Sequence, residues 1–234
     1  ESPFVRHYSM SSFGSHNSEA STSTNFLLGT FSSHQNSSKY RAYASAVDKA
    51  LKSFESTTEW ADLIAALGKL GKVFASNSKS FNDIPNPLTV AKRLSQCLHP
   101  ALPSGTNICH NFSVFNILST GVHLKALETY RQVFNILGHS GHNQNLARSL
   151  FLYAIGLFPL IDHCGIKVKS ELLSIFEQYL LPLGTHLRPA LPGFITAVLL
   201  ALEEGTEFYG RAFQLLDQLL DKVGTAAFYT CFWQ

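Results

Sequence analysis

From Tyr40 onward, apolar residues recur at intervals of three and four, and no stretch shows the strict alternation of a half-buried strand. Tyr43, Ala46, Val47, Ala50, Leu51 and Phe54 mark a first helix. Trp60, Leu63, Ile64, Leu67, Leu70 and Phe74 mark a second, with its N-cap expected near Thr57 or Thr58 and Glu59 in its first turn. Ile84-Pro85-Asn86-Pro87 punctuates the chain. The helix that follows over Leu88 to Leu98, with Ala91, Leu94, Cys97 and Leu98 in step, must stop at His99, because Pro100 disfavours the α region for the residue before it. After a short Pro/Gly connector the period resumes at Val122, Ala126, Leu127, Tyr130, Val133, Phe134 and Leu137. It predicts a helix starting just after Gly121 and pairing with the 88–98 helix as an αα-hairpin.

Gly138 to His142 breaks the chain again. Leu146, Leu150, Phe151, Ala154, Leu157, Phe158 and Ile161 then build a helix apolar over most of its circumference, the pattern of a central element covered on several sides. Leu172, Leu173, Phe176 and Leu180 give the next helix. Leu187, Leu191, Phe194, Ile195, Val198 and Leu202 give another, with Pro182, Pro189 and Pro192 near the ends, and Phe208, Phe213, Leu216, Leu219 and Val223 a last long one. An aromatic run of Phe228, Tyr229, Phe232 and Trp233 follows. Helices joined by short connectors, without a detectable repeat, predict an all-α fold: an irregular α-solenoid of stacked antiparallel helical hairpins. The expected core anchors are Trp60, Leu63, Leu94, Leu127, Tyr130, Phe151, Phe158, Phe176, Phe194 and Leu216.

Read with residues 106–121 removed, the run RLSQCLHPALPSG joined to VHLKALETY resembles the N-terminal domain of the Dopey family of large membrane-trafficking proteins. The resemblance takes in KYRAYASAVDKALKSFESTTEWADLIAALGKLGKV from Lys39, SLFLYAIGLFPLI from Ser149, LLSIFEQYLLPL from Leu172 and LEEGTEFYGRAFQLLDQLL from Leu202, and so covers nearly all of 39–234 in order. It implies a non-enzymatic scaffold or adaptor, cytosolic and peripheral on trans-Golgi network and endosome membranes, that supports protein transport between the two. The implied partners are a Sec7-related large scaffold, a phospholipid flippase and conventional kinesin. Residues 106–121 stand outside the family pattern and read as an inserted loop, either a retained short intron or a lineage-specific feature.

Composition narrows the function further. The 234 residues are 45% hydrophobic, enough for a sizeable core, and the net charge of +2 lacks the basic stripe of a general nucleic-acid binder. Residues 1–38 are rich in Ser, Thr and Asn and read as a disordered leader. Cys97, Cys109, Cys164 and Cys231 form no CxxC pair, which fits free thiols in a reducing compartment. No run of about 18 apolar residues is evident; Leu150 to Ile166 is the richest candidate and carries Asp162 and His163, so it reads as a buried helix. No secretory signal is indicated, which makes the sequons at Asn36 and Asn111 chance matches, and the missing initial Met suggests a fragment of a longer chain.

Candidate chemistry is sparse. There is no phosphate-binding glycine loop. His139 and His142, with His163 or Cys164 nearby, are the best metal candidate, but lack a recognisable ligand spacing. A metal-dependent enzyme is therefore the remote alternative, and no cofactor or small-molecule substrate is expected. Adjacent Cys109 and His110 cannot position one another as nucleophile and base, and Glu203, Glu204, Glu207, Asp217 and Asp221 read as solvated helix-face acids. What the charges do suggest is polarity along the chain. Lys69, Lys72, Lys79, Lys92 and Arg93 meet only Asp83 between them, whereas 171–221 is net acidic. Those five cations are the candidate membrane or partner surface. An adaptor that binds anionic lipid headgroups through its basic early hairpins is the second reading.

Overall fold

The computed structural model describes residues 37–57, 59–99, 112–138, 144–203 and 205–231, with the backbone alone for 112–119. Residues 38–234 form one unit. Its helices are α1 (Ser38–Lys52), α2 (Trp60–Asn77), α3 (Pro87–Leu98), α4 (Phe112–Gly138), α5 (Gln144–Leu157), α6 (Leu160–His163), α7 (Ile166–Ile175), α8 (Leu191–Leu199), α9 (Tyr209–Val223) and α10 (Thr225–Thr230). A π turn over Phe176–Leu180 and a 3-10 segment over Leu181–Ala190 link α7 to α8, and no strand occurs among the described residues. The fold is all-α.

Helix ends follow local chemistry. α3 stops at Leu98 with His99 extended at φ −70 and ψ 138, as the following proline dictates. At its other end Asn86 takes the left-handed conformation, φ 51, and its side-chain amide donates to Asp48 on α1. The N-cap of α2 is Glu59 rather than Thr57 or Thr58. The Glu59 N–H donates to the Asp62 carboxylate at 3.3 Å, while the Thr57 hydroxyl turns back to the Phe54 carbonyl at 2.9 Å.

Small residues set the packing. A Cβ added at Gly121 would meet Ile64 Cδ1 at 3.5 Å, one at Gly68 would meet Lys125 Cε at 3.6 Å, and one at Gly71 would meet Thr129 Oγ1 at 3.6 Å. Positions 64, 68 and 71 thus pair in rising order with 121, 125 and 129, so α2 and α4 lie side by side and parallel. Arg131 reaches Glu171 at 2.7 Å, and the Tyr179 hydroxyl reaches Asn135 at 2.9 Å, so α7 and the π turn continue this row in the same direction. A second row holds α3 and α5, again parallel: Asn145 donates to the Asn82 carbonyl, Gly156 abuts Ser95, and His163 meets the Leu98 carbonyl at 3.1 Å.

The core runs through both rows. Tyr130, Phe134 and Tyr153 form edge-on ring contacts, and Phe158, Phe176 and Phe194 form a second aromatic cluster further along. Trp60, Leu63, Leu94, Leu127, Tyr130, Phe158, Phe176 and Phe194 are buried, and Leu216 is half-buried against the core. Each fully buried aromatic or aliphatic side chain contributes roughly 1.5–3 kcal/mol.

Four sequence-based expectations change. The helix expected after Gly121 begins at Phe112, so 112–121 belong to α4 rather than to a loop; nothing in that stretch breaks a helix, and Gly121 serves as the close contact with Ile64. Residues 106–111, like the leader over 1–36, lie outside the described residues. The central helix is α4, which buries Val122, His123, Ala126, Leu127, Thr129, Tyr130, Val133, Phe134, Ile136 and Leu137 around its circumference. α5 instead turns Leu146, Leu150, Tyr153, Ala154 and Leu157 inward and leaves Phe151 63% exposed, so Phe151 is not a core residue: it occupies the stripe opposite the packed one. Finally, α5 and α6 together make one helical stretch, Gln144–His163, that is by length and composition apolar enough to cross a membrane. Its inner face is packed into the domain, while Phe151 and Ile155 on its outer face are exposed.

Candidate interaction surface

The cations singled out by the sequence sit on α2, in the turn after it and on α3. Lys69 and Lys72 are exposed one turn apart on the outer side of α2, and Lys79 is exposed in the turn after it. Lys92 is exposed on α3, whereas neighbouring Arg93 is half-buried and donates from Nη1 to Gln96 Oε1 at 3.2 Å. α2 belongs to one row and α3 to the other. None of the five cations makes an ion pair among the described residues.

Two features of the α2 side escape sequence reading. Lys125 of α4 crosses Gly68, which brings its chain alongside the Lys69–Lys72 face, and its ammonium is held by Glu128 at 2.6 Å. Lys79 overlooks a cleft of about 520 Å³ lined by Ser78, Phe134, Asn135, Gln178 and Tyr179 among others. Neither feature carries a local sequence signal, because both depend on contacts between helices.

The acidic half of the chain is used differently. Glu171 pairs with Arg131 at 2.7 Å and Glu177 with Arg211 at 2.6 Å, so these acids join helices to one another. Glu203, Glu207, Asp217 and Asp221 are exposed, and Glu204 lies outside the described residues. Among the described residues no group of three or more His, Cys, Asp or Glu could hold a metal ion. His139, His142, Cys109 and His110 lie outside them.

The remaining titratable groups are set by burial. Burial pushes the Cys97 thiol up to about 12, against a smaller opposing pull from Arg93, and the Cys164 thiol likewise to about 12. Both are protonated, poor nucleophiles. His123 is 4% exposed, with its ring 6.3 Å from that of His163; burial first, and His163 second, hold it down at about 4, so it is neutral near pH 7.

The family profile described as "Dopey, N-terminal" matches residues 37–111 and 112–234, and the chain belongs to the Dopey family as part of its N-terminal domain. Protein pad-1 of Caenorhabditis elegans is 65% identical over 197 residues, which cover 84% of this chain and 7% of that protein. Protein DOP1B of Xenopus laevis is 47% identical over 83% of this chain and 8% of its own length. Protein DOP1 of Saccharomyces cerevisiae is 31% identical over 84% and 11%. The chain thus spans about a tenth or less of the length of these relatives. No solved structure matches it.

Proposed function

We propose that this domain is a non-enzymatic scaffold in protein transport between endosomes and the trans-Golgi network, held peripherally at those membranes from the cytosolic side. The observation that carries the reading is the match to the Dopey N-terminal family along the whole of 37–234, since kinship with that family implies the role. Its implied partners are a Sec7-related large scaffold, a phospholipid flippase and kinesin. The test is proximity labelling of the full-length protein in cells. Golgi and endosomal membrane components should dominate the recovered set; recovery of soluble metabolic enzymes alone would overturn the reading.

A second reading is favoured by one local observation, the exposed and unpaired Lys69, Lys72 and Lys79. They would meet anionic lipid headgroups directly, each contributing about 1 kcal/mol close to the membrane surface. Salt-sensitive binding to anionic liposomes, lost when the three lysines are reversed to glutamate, is the expected result. Binding that survives the reversal would remove this reading.

A further inference from the structure

Three elements that run in the same direction end at the Lys79 cleft. Ser78 and Lys79 follow α2, Asn135 and Gly138 close α4, and Gln178 and Tyr179 belong to the π turn after α7. That turn, in which the Leu181 N–H reaches back to the Phe176 carbonyl, is a rare geometry frequently met at functional sites. The cleft holds about 520 Å³, within the roughly 300–1,000 Å³ typical of ligand sites.

What the cleft can recognise follows from which of its polar groups are already engaged. Arg131 Nη1 donates to Gln178 Oε1 at 2.7 Å, and the Tyr179 hydroxyl donates to Asn135 Oδ1 at 2.9 Å. Each bond engages the oxygen of an amide, sets its orientation and leaves its NH2 group to donate. Arg131 is itself anchored by Glu171, so Gln178 is held from behind. The Lys79 ammonium makes no ion pair among the described residues, and no Asp or Glu lines the cleft. Ser78 differs: its hydroxyl proton goes to the Ala75 carbonyl at 3.0 Å, which leaves its oxygen to accept. Tyr179 and Pro182 add an apolar wall beside buried Phe134 and Leu146.

We infer that this cleft binds a short acidic peptide segment of a partner protein. Asp or Glu carboxylates of the segment take the donors on Lys79, Asn135 and Gln178, a backbone N–H donates to Ser78, and a neighbouring apolar side chain rests on Tyr179 and Pro182. A peptide offers all three kinds of group at once. Because the two amides are oriented by Tyr179 and Arg131 before anything binds, little further ordering is required of the protein side. The inference goes beyond the trafficking reading, and it gives Lys79 a role separate from that of Lys69 and Lys72.

The test selects short random peptides displayed on phage against the 1–234 chain. The enriched peptides should carry Asp or Glu next to an aromatic or aliphatic residue. Asn135→Asp and Gln178→Glu are the decisive variants, since each keeps the oxygen bonded by Tyr179 or Arg131 and replaces the NH2 group by an acceptor. Each of them, and Lys79→Glu, should weaken the tightest peptide about tenfold or more, whereas Lys69→Glu, outside the cleft, should change its affinity by less than about twofold. Thermal unfolding of all four should stay close to that of the parent, because these side chains are exposed. Enrichment of neutral or basic peptides, or affinities indifferent to Asn135→Asp and Gln178→Glu, would overturn the inference. An equal loss with Lys69→Glu would do the same by showing a diffuse charge effect. So would binding of phosphatidylserine vesicles that is lost with Asn135→Asp while no peptide is enriched, which would assign the cleft to a membrane.

Discussion

Arg211 of α9 grips Glu177 at two points: its Nε donates to Oε1 at 2.6 Å and its Nη2 to Oε2 at 2.8 Å. The same guanidinium donates to the Ser170 carbonyl at 3.1 Å and to the Ser174 hydroxyl at 2.7 Å, so one side chain fastens α9 to α7 and the π turn. A lysine keeps the charge but cannot reproduce the fork. Arg211→Lys should lower stability by about 1 kcal/mol, a modest loss because the pair is partly exposed. The urea unfolding midpoint reads it. An unchanged midpoint would show that a charge in the neighbourhood suffices.

His123 should make the domain acid-sensitive. Its folded pKa, about 4, lies below its ordinary value of 6.5, so the unfolded chain binds the proton first. The contribution of the neutral ring is complete above about pH 6.5 and is lost as pH falls towards 4, to a total of roughly 3 kcal/mol. Unfolding free energies measured between pH 7 and 4 should fall along this course, and His123→Gln should flatten the slope even if it lowers stability overall. An equal slope in the variant would assign the acid sensitivity to other groups.

Two glycine-to-alanine changes should have opposite signs. At Gly156 the new methyl group meets Ser95 Cα, Cβ and Oγ at 2.7 Å, and the backbone cannot yield cheaply. That overlap should cost about 1–3 kcal/mol and exceed the gain in helix propensity. At Gly210, exposed in α9, a methyl group meets nothing within 4 Å, and Gly210→Ala should stabilise by about 0.5–1 kcal/mol. Thermal unfolding of the two variants against the parent decides both.

The Tyr153 hydroxyl is buried without a hydrogen-bond partner among the described residues, although the Tyr153 carbonyl accepts from the Tyr130 hydroxyl at 3.4 Å. Removing an unpaired buried hydroxyl removes its desolvation cost. Tyr153→Phe should therefore be neutral or more stable by up to about 1 kcal/mol. A clear loss in chemical denaturation would mean that the hydroxyl is bonded in solution.

The extent to which all this was readable in the chain depends on whether a feature is local. The stop of α3 at His99 was legible because Pro100 acts on its immediate neighbour. The start of α4 was not, because residues 112–121 are apolar without a polar face, and periodicity gives no direction to such a stretch; Gly121 looked like a boundary but is a contact with Ile64. Phe151 illustrates the complementary limit. A helix apolar nearly all round shows that much of its surface can be buried, but which stripe is covered depends on where its neighbours stand. The π turn over 176–180 was likewise invisible, since Leu172, Phe176 and Leu180 keep helical spacing through it. Of the candidate surface, the cations could be named from the sequence, whereas the Lys79 cleft and the close contact of Ser95 with Gly156 exist only once helices far apart in sequence are neighbours.

A rod of 27 residues, about 40 Å long at 1.5 Å per residue, runs through the domain as α4. Between 121 and 129 it is meshed with α2, and between 131 and 135 it is tied to α7 and the π turn. Over 121–135 the helix therefore cannot slide past its neighbours without disengaging the glycine contacts or the Arg131 tie. Under a stretching force α2, α4 and α7 should yield together over this stretch rather than one helix at a time.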